Sequence, residues 1–414
     1  MFLHKKRAKP SAKRLKLELK LDFEPNAEAL RGGCNAFKDG KGLISRYIRN
    51  EMTLFSKPLQ VIGTSEDVVY ILQDDAICSM RGAYFNWLVE QPAPSACMCV
   101  FRGDVIASAK GLGTYYMTRS SAQKIYDKDF SSLTVCADRV FGLDGNVVSY
   151  TVAGERDGWE NGESITLPSP CDALVTVDGK VYALGNTCYK LAPDGEDVEF
   201  KFSVLWNNIG DVAPRSVVNY NGRAVFASKQ GLYQIASDKL TPIFAELKDA
   251  VDFSDAQGII YDGKYYLSCR TKNAETDGND VTLALDLDEE KIVGIVDLGF
   301  GSMAAIKGTI YVTQDGHFYR IYEGVAPGKF VKCNVDFGTS QKKFLDGMTV
   351  TTANYLEVTI RSEKDVRVYK VEGKKSAQKI NFRDMGWEFS IELSSEEGLK
   401  VENLTLFAHT LQEV

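Results

Sequence analysis

Hydrophobic positions along most of this chain recur every second residue, in runs of four to eight broken by Gly, Asp and Asn. That spacing belongs to half-buried β-strands, because successive side chains of a strand point to opposite faces. The clearest stretch reads Ser216-Val217-Val218-Asn219-Tyr220, Asn221-Gly222, Arg223-Ala224-Val225-Phe226-Ala227-Ser228, then Gly231-Leu232-Tyr233-Gln234-Ile235, Ser237-Asp238 and Lys239-Leu240-Thr241-Pro242-Ile243. Four strands are predicted in under 30 residues. Asn-Gly is a hairpin signal, since a two-residue turn requires positive φ, which these residues accept at low cost.

The same phrase returns at Asp178-Gly179, Asp262-Gly263 and Lys307-Gly308, each followed by a strand such as Lys180-Val181-Tyr182-Ala183-Leu184. The turn glycines Gly179, Gly222, Gly263 and Gly308 lie 43, 41 and 45 residues apart. Weaker copies precede them near Asp138-Arg139, Gly103-Asp104 and Glu66-Asp67. Four short strands per period of this length predict a blade, and six or seven such blades predict a β-propeller. A tandem sandwich is the rival, but it gives no reason for near-constant spacing.

Outside the repeats the writing changes. Residues 338–414 hold longer alternating strands with one charged face, which predicts an antiparallel β-sandwich. Residues 1–58 read as a basic arm and docking segment, leaving 59–337 for the propeller. Within the arm, Leu15, Leu17, Leu19 and Leu21 alternate with charged residues, so this strand needs a sheet edge elsewhere in the chain or in a neighbouring subunit. Lys5, Lys6 and Arg7 would steer that encounter by charge. These seven residues are the expected subunit interface. On that reading a chain lacking residues 1–24 folds as a monomer and fails to assemble. Arg31-Gly32-Gly33-Cys34-Asn35 reads as a flexible turn, and the segment from there to about Met52 has no assignable period.

Composition sharpens the picture in two respects. The 414 residues carry a formal charge of −7, yet residues 1–20 hold eight cations against Glu18, leaving −14 on the remainder. So acidic a body repels polyanions and does not read nucleic-acid sequence. No apolar run approaches the roughly 18 residues of a membrane helix, and Met1 to Pro10 lacks the apolar core of a secretory signal. The nine scattered cysteines form no disulfide framework, and Cys97 and Cys99 are too close for a zinc or redox pair. They are expected to act as small core hydrophobes in a reducing cytosol.

Chemistry-bearing patterns are scarce. His4, His317 and His409 stand apart from any metal or triad spacing, and His317 is expected to pack within its Tyr-rich hairpin. No phosphate loop or dinucleotide fingerprint occurs. The acidic clusters Asp277-Gly278-Asn279-Asp280 and Asp286-Leu287-Asp288-Glu289-Glu290 fall in predicted turns, where carboxylates serve the backbone. No catalytic, cofactor or metal residue is therefore assigned.

Taken together, the arm with Arg31-Gly32-Gly33-Cys34-Asn35, the Asp-Gly-Lys-Val-Tyr and Gly-Leu-Tyr-x-Ile phrases, and the terminal Phe382-Arg383-Asp384-Met385-Gly386-Trp387-Glu388-Phe389 and Val401-Glu402-Asn403-Leu404-Thr405-Leu406 resemble virion tail proteins of tailed bacteriophages. The likeness is to propeller-containing nozzle, tail-hub and connector stabilisation proteins. It departs from their Gly-Gly-Leu-Asn opening, which is Gly-Gly-Cys-Asn here, and lacks the acidic-proline phrase that often follows. The resemblance implies a non-enzymatic virion subunit without cofactors, folded in the host cytoplasm and assembled as a homo-oligomeric, hexameric ring around the DNA-exit channel. It also implies contacts with other tail or connector proteins, and DNA passing without sequence-specific binding. Two further classes fit an all-β chain rich in exposed-type aromatics: a carbohydrate-binding propeller adhesin and a propeller glycoside hydrolase with paired carboxylates.

Overall fold

The computed structural model describes residues 14–53, 57–194, 199–296 and 299–410. The protein is all-β, with one short α-helix, Ala27–Gly32, and two 3-10 turns among the described residues. Most strands fall into six consecutive groups of four, each antiparallel and in chain order, 58–89, 96–126, 132–166, 173–207, 218–243 and 251–295, followed by a group of three, 302–323. We refer to these as repeats 1 to 7. The predicted four strands of residues 216–243 are Val218–Tyr220, Arg223–Ser228, Gly231–Ala236 and Lys239–Ile243.

The turns explain the period. Asp178/Gly179, Asn221/Gly222, Asp262/Gly263 and Lys307/Gly308 all have positive φ at both positions (49/71, 50/75, 48/68 and 29/81°). This is the left-handed geometry that two-residue hairpins need, and it fixes the register of the first two strands of repeats 4 to 7.

Each repeat packs on the next. The first strand of every repeat touches the first strand of its successor, and Ser302–Ile306 of repeat 7 touches Pro58–Ser65 of repeat 1. An apolar cluster fills every one of these junctions. Between repeats 4 and 5 it contains Val175, Tyr182, Phe226 and Ile235. Between repeats 7 and 1 it contains Ala304 and Phe318 against Val69 and Ile71. Two polar contacts support the latter junction, Val61 N–H donating to Ser302 Oγ (2.7 Å) and Thr64 Oγ1 donating to the Ala305 carbonyl (3.2 Å).

Repeat 7 supplies three strands of its own. Its fourth is Tyr47–Glu51, paired antiparallel with His317–Glu323. The sheets thus cross the boundaries expected at 58 and 338. Gly328–Val335 likewise pairs with Phe389–Ser395, in a sheet with Leu356–Arg361 and Val366–Val371. Facing that sheet, Lys343–Thr352, Lys374–Gly386 and Lys400–Thr410 form a second, and the two share a core including Leu345, Val350, Val358, Ile391 and Leu406. The second sheet runs on through Gly42–Ile44 and Ala36–Asp39 into repeat 6, giving ten strands in all.

Arg31 to Asn35 is not the flexible turn its glycines suggest. Asn26 caps the helix Ala27–Gly32, its side-chain oxygen accepting from the N–H groups of Glu28 (2.9 Å) and Ala29 (3.2 Å). A Cβ on Gly32 would lie 2.8 Å from Val331 Cγ2, and one on Gly33 2.5 Å from Ile295 Cδ1. The glycines therefore let the helix end wedge between repeat 6 and the C-terminal sheets.

Asp238 ties repeat 4 to repeat 5. It lies in the last turn of repeat 5 and accepts from Lys180 Nζ (2.7 Å), Tyr182 Oη (2.5 Å) and Lys190 Nζ (3.2 Å) of repeat 4. The Lys180 and Tyr182 donors hold its carboxyl well below the ordinary value of 3.8. A carboxyl depressed in the folded state stabilises above its unfolded value, and that contribution is lost as pH falls through the folded one. Asp238→Asn should cost about 1–3 kcal/mol at pH 7, and its thermal midpoint should converge with that of the parent as pH drops below about 4.

Candidate assembly interface

The strand of alternating leucines pairs within its own chain. Arg14–Glu18 runs antiparallel to Lys400–Thr410, with Leu15 opposite Ala408 and Leu17 opposite Leu406. Leu15 and Leu17 are half-buried, whereas Leu19 and Leu21 are buried in the core between the two C-terminal sheets. Phe23 continues inward, edge-on to Phe330 at 5.5 Å. Residues 14–24 are thus part of the fold, and a chain lacking 1–24 loses core side chains; this corrects the expectation that it folds as an intact monomer. Lys5, Lys6, Arg7 and His4 lie outside the described residues.

The polar groups singled out in the sequence sit apart from one another. His317 is exposed rather than packed, with Nδ1 2.7 Å from Glu51 Oε1, so it joins repeat 7 to its borrowed strand. His409 Nδ1 lies 3.0 Å from Asp346 Oδ1, its ring stacked on Phe344. Asp286 accepts from the N–H groups of Asp288 and Glu289 (both 3.0 Å) and pairs with Lys264 (2.5 Å). Asp280 accepts from the Thr271 N–H (2.6 Å) and hydroxyl (2.5 Å). Both clusters therefore serve their own turns. All nine cysteines are free thiols, six of them buried. Burial pushes Cys78 and Cys136 up to about 11 and Cys171 to about 12, which keeps them protonated and unreactive at neutral pH. Among the described residues no group of three His, Cys, Asp or Glu side chains could hold a metal ion, and no helix is long and apolar enough to cross a membrane.

Two surface hollows stand out among the described residues. A groove of about 720 Å³ on the outer face of the C-terminal sheet is lined by Arg14, Asp346, Thr349, Lys379, Phe407 and His409. A smaller one of about 390 Å³, between repeats 5 and 6, is lined by Lys229, Lys248, Arg270 and Lys272. Arg270 there is paired with Asp252 (2.5 Å) and Lys229 with Asp211 (2.5 Å).

Among the seven repeats, one outer edge is poorly guarded. The outermost strands of repeats 1, 2, 3 and 7 run four to six residues, that of repeat 5 contains Pro242, and that of repeat 6 is covered by Ala36–Asp39. Short strands, proline and covering strands are how sheets blunt an edge. Repeat 4 differs. Its last strand, Glu199–Asn207, spans nine residues, pairs with Thr187–Asp194 on one side, and ends its sheet on the other. Phe202, Val204 and Trp206 on this strand are 39, 53 and 52% exposed. The apolar residues of Phe200-Lys201-Phe202-Ser203-Val204-Leu205-Trp206 carry this signal in the sequence, but they fall between better-marked turns and were not among the expected interface residues.

No family model and no curated protein matches the chain. Among solved structures it is similar to the computationally designed Ika8 protein (11% identity, TM-score 0.38, covering 65% of this chain and 96% of that one). It is also similar to two extracellular domains from B. thetaiotaomicron, one assigned to a hybrid two-component system, BT3049 (12% identity, TM-score 0.48, 80% of this chain and 49% of that one), and one to a one-component system, BT4673 (9%, 0.48, 90% and 62%). The chain thus spans about half the length of the first of these domains and under two thirds of the second. No functional argument follows from likeness at this level.

Proposed function

We propose that the seven repeats form a closed seven-bladed β-propeller, that residues 328–410 add a β-sandwich, and that the chain is a structural, non-catalytic subunit of a phage tail or connector, assembled as a ring around the DNA-exit channel. The observation that carries this reading is the junction of repeats 7 and 1, where Ala304 and Phe318 meet Val69 and Ile71 while Tyr47–Glu51 completes repeat 7. Closing a circle of sheets with a strand from the far end of the repeat region locks it as a rigid wall, because opening it must expose both an apolar junction and a strand edge.

The side chains support a wall rather than a reactor. Among the described residues, the turn carboxylates Asp280 and Asp286, His317, His409 and the buried thiols are engaged in turns, pairwise contacts or packing, and the chain's negative charge resists adhesion of passing DNA. Quantitative mass spectrometry of purified tailed-phage particles that carry this gene tests the role. The chain at a small fixed multiple of copies per particle is expected; particles that are infectious and complete without it would overturn the reading.

A further inference from the structure

We propose that Glu199–Asn207 is the acceptor edge for the basic N-terminal tail, residues 1–13, of a neighbouring copy, which adds to repeat 4 as a fifth strand. This rests on the assembly reading above and names the contact that holds the assembly together.

Three observations converge on it. The edge is long, unpaired on one side by any strand among the described residues, and apolar at Phe202, Val204 and Trp206, the kind of edge that otherwise invites pairing with another chain. It is also acidic. The outermost strand of repeat 3, Glu163–Thr166, touches it on one flank and Lys239–Ile243 of repeat 5 on the other, and Glu163 and Glu199, which begin their strands, are both exposed. Lys201 is already paired with Asp194, so it offers little opposing charge.

The tail is the complement. Residues 1–13 hold Lys5, Lys6, Arg7, Lys9 and Lys13 and no acid, and Phe2 and Leu3 provide apolar contact. Pro10 bounds the stretch that can pair, because it has no N–H to donate. Thirteen extended residues reach roughly 43–47 Å from Arg14, enough to cross to a neighbour. Donor and acceptor are different surfaces of one chain, so the contact is heterologous, and repeated contacts of that kind close into rings.

The test uses the full chain, a chain starting at residue 14, and a synthetic peptide of residues 1–13. The described pairing begins at Arg14, so the shortened chain keeps every contact described above. The peptide is expected to bind the shortened chain saturably, with a change in Trp206 fluorescence. Val204→Lys in the acceptor, or Glu at positions 5, 6 and 7 of the peptide, should weaken binding at least tenfold. The peptide variant leaves the folded protein untouched, so its result does not depend on the acceptor variant folding. Mixing the shortened chain with full-length Val204→Lys should yield mixed complexes that neither forms alone. No saturable binding, or binding indifferent to both changes, overturns the proposal. If the full chain forms rings and its Val204→Lys variant forms the same rings, this contact is wrong while the assembly reading stands. Peptide binding at the edge by a chain that never forms rings would do the reverse.

Discussion

Tyr47→Ala is expected to destabilise the protein by about 3–5 kcal/mol, the cost of removing a buried aromatic side chain. Tyr47 is 3% exposed. Its ring meets Phe37 edge-on at 5.0 Å, and its hydroxyl lies 2.8 Å from that of Tyr266 in repeat 6. Its backbone is clamped by Asn35, whose side chain donates to the Tyr47 carbonyl (2.8 Å) and accepts its N–H (2.9 Å). Truncation therefore frees the strand that completes repeat 7. Tyr47→Phe keeps the packing and should cost about 0.5–1.5 kcal/mol, the worth of one hydrogen bond. Denaturant unfolding measures both values. Hydrogen exchange should show the alanine variant losing protection first in 309–323, and unchanged protection there would contradict the role given to this strand.

The second large effect concerns the N-terminal leucines. Leu21 is 1% exposed among Leu345, Val358, Leu393 and Leu406. Leu21→Asp places a carboxylate in that core, where the nearby Lys38 ammonium is already held by Asp22 (2.8 Å) and the Leu21 carbonyl (3.0 Å), and should cost about 4 kcal/mol or more. Removing residues 1–24 deletes Leu19, Leu21 and Phe23 together. Each leucine alone is worth about 2–5 kcal/mol, so the C-terminal sheets should bind a hydrophobic dye and unfold at lower denaturant than repeats 1 to 5. Removing residues 1–13 should leave the unfolding midpoint of the monomer, measured at a concentration too low for assembly, unchanged. Equal stability of the two truncations would show that the leucine strand is a detachable arm after all.

These two sites also mark where sequence reasoning reaches its limit. The period of the repeats was legible because its cause is local: a hairpin turn writes its requirement for positive φ into two adjacent residues, as at Asn221-Gly222. Tyr47–Glu51 has no such local signature. Tyr-Ile-Arg-Asn-Glu is mostly polar, and it becomes a strand because His317–Glu323, some 270 residues later, presents an edge. The strand from Gly328 was missed for the same reason, its partner being Phe389–Ser395.

The leucine alternation correctly announced a half-buried strand, but alternation says only that one face is covered. It does not say by which chain, and Lys400–Thr410 of the same chain supplies the cover. Gly32-Gly33 misled in a different way. Glycines that read as a loop permit close packing between repeat 6 and the C-terminal sheets, a tertiary cause invisible along the chain. Of the candidate interface, the tail's charge was plain from composition, whereas the edge at Phe202, Val204 and Trp206 required knowing which strand of repeat 4 lies outermost.

Electron microscopy of the purified full-length chain, with native mass spectrometry on the same sample, tests the central claim most directly. Closed rings of one size, six subunits around an open centre, each subunit showing a disc of seven blades, are the predicted result. Single particles at every concentration, or subunits whose first and last repeats stand apart, would contradict it.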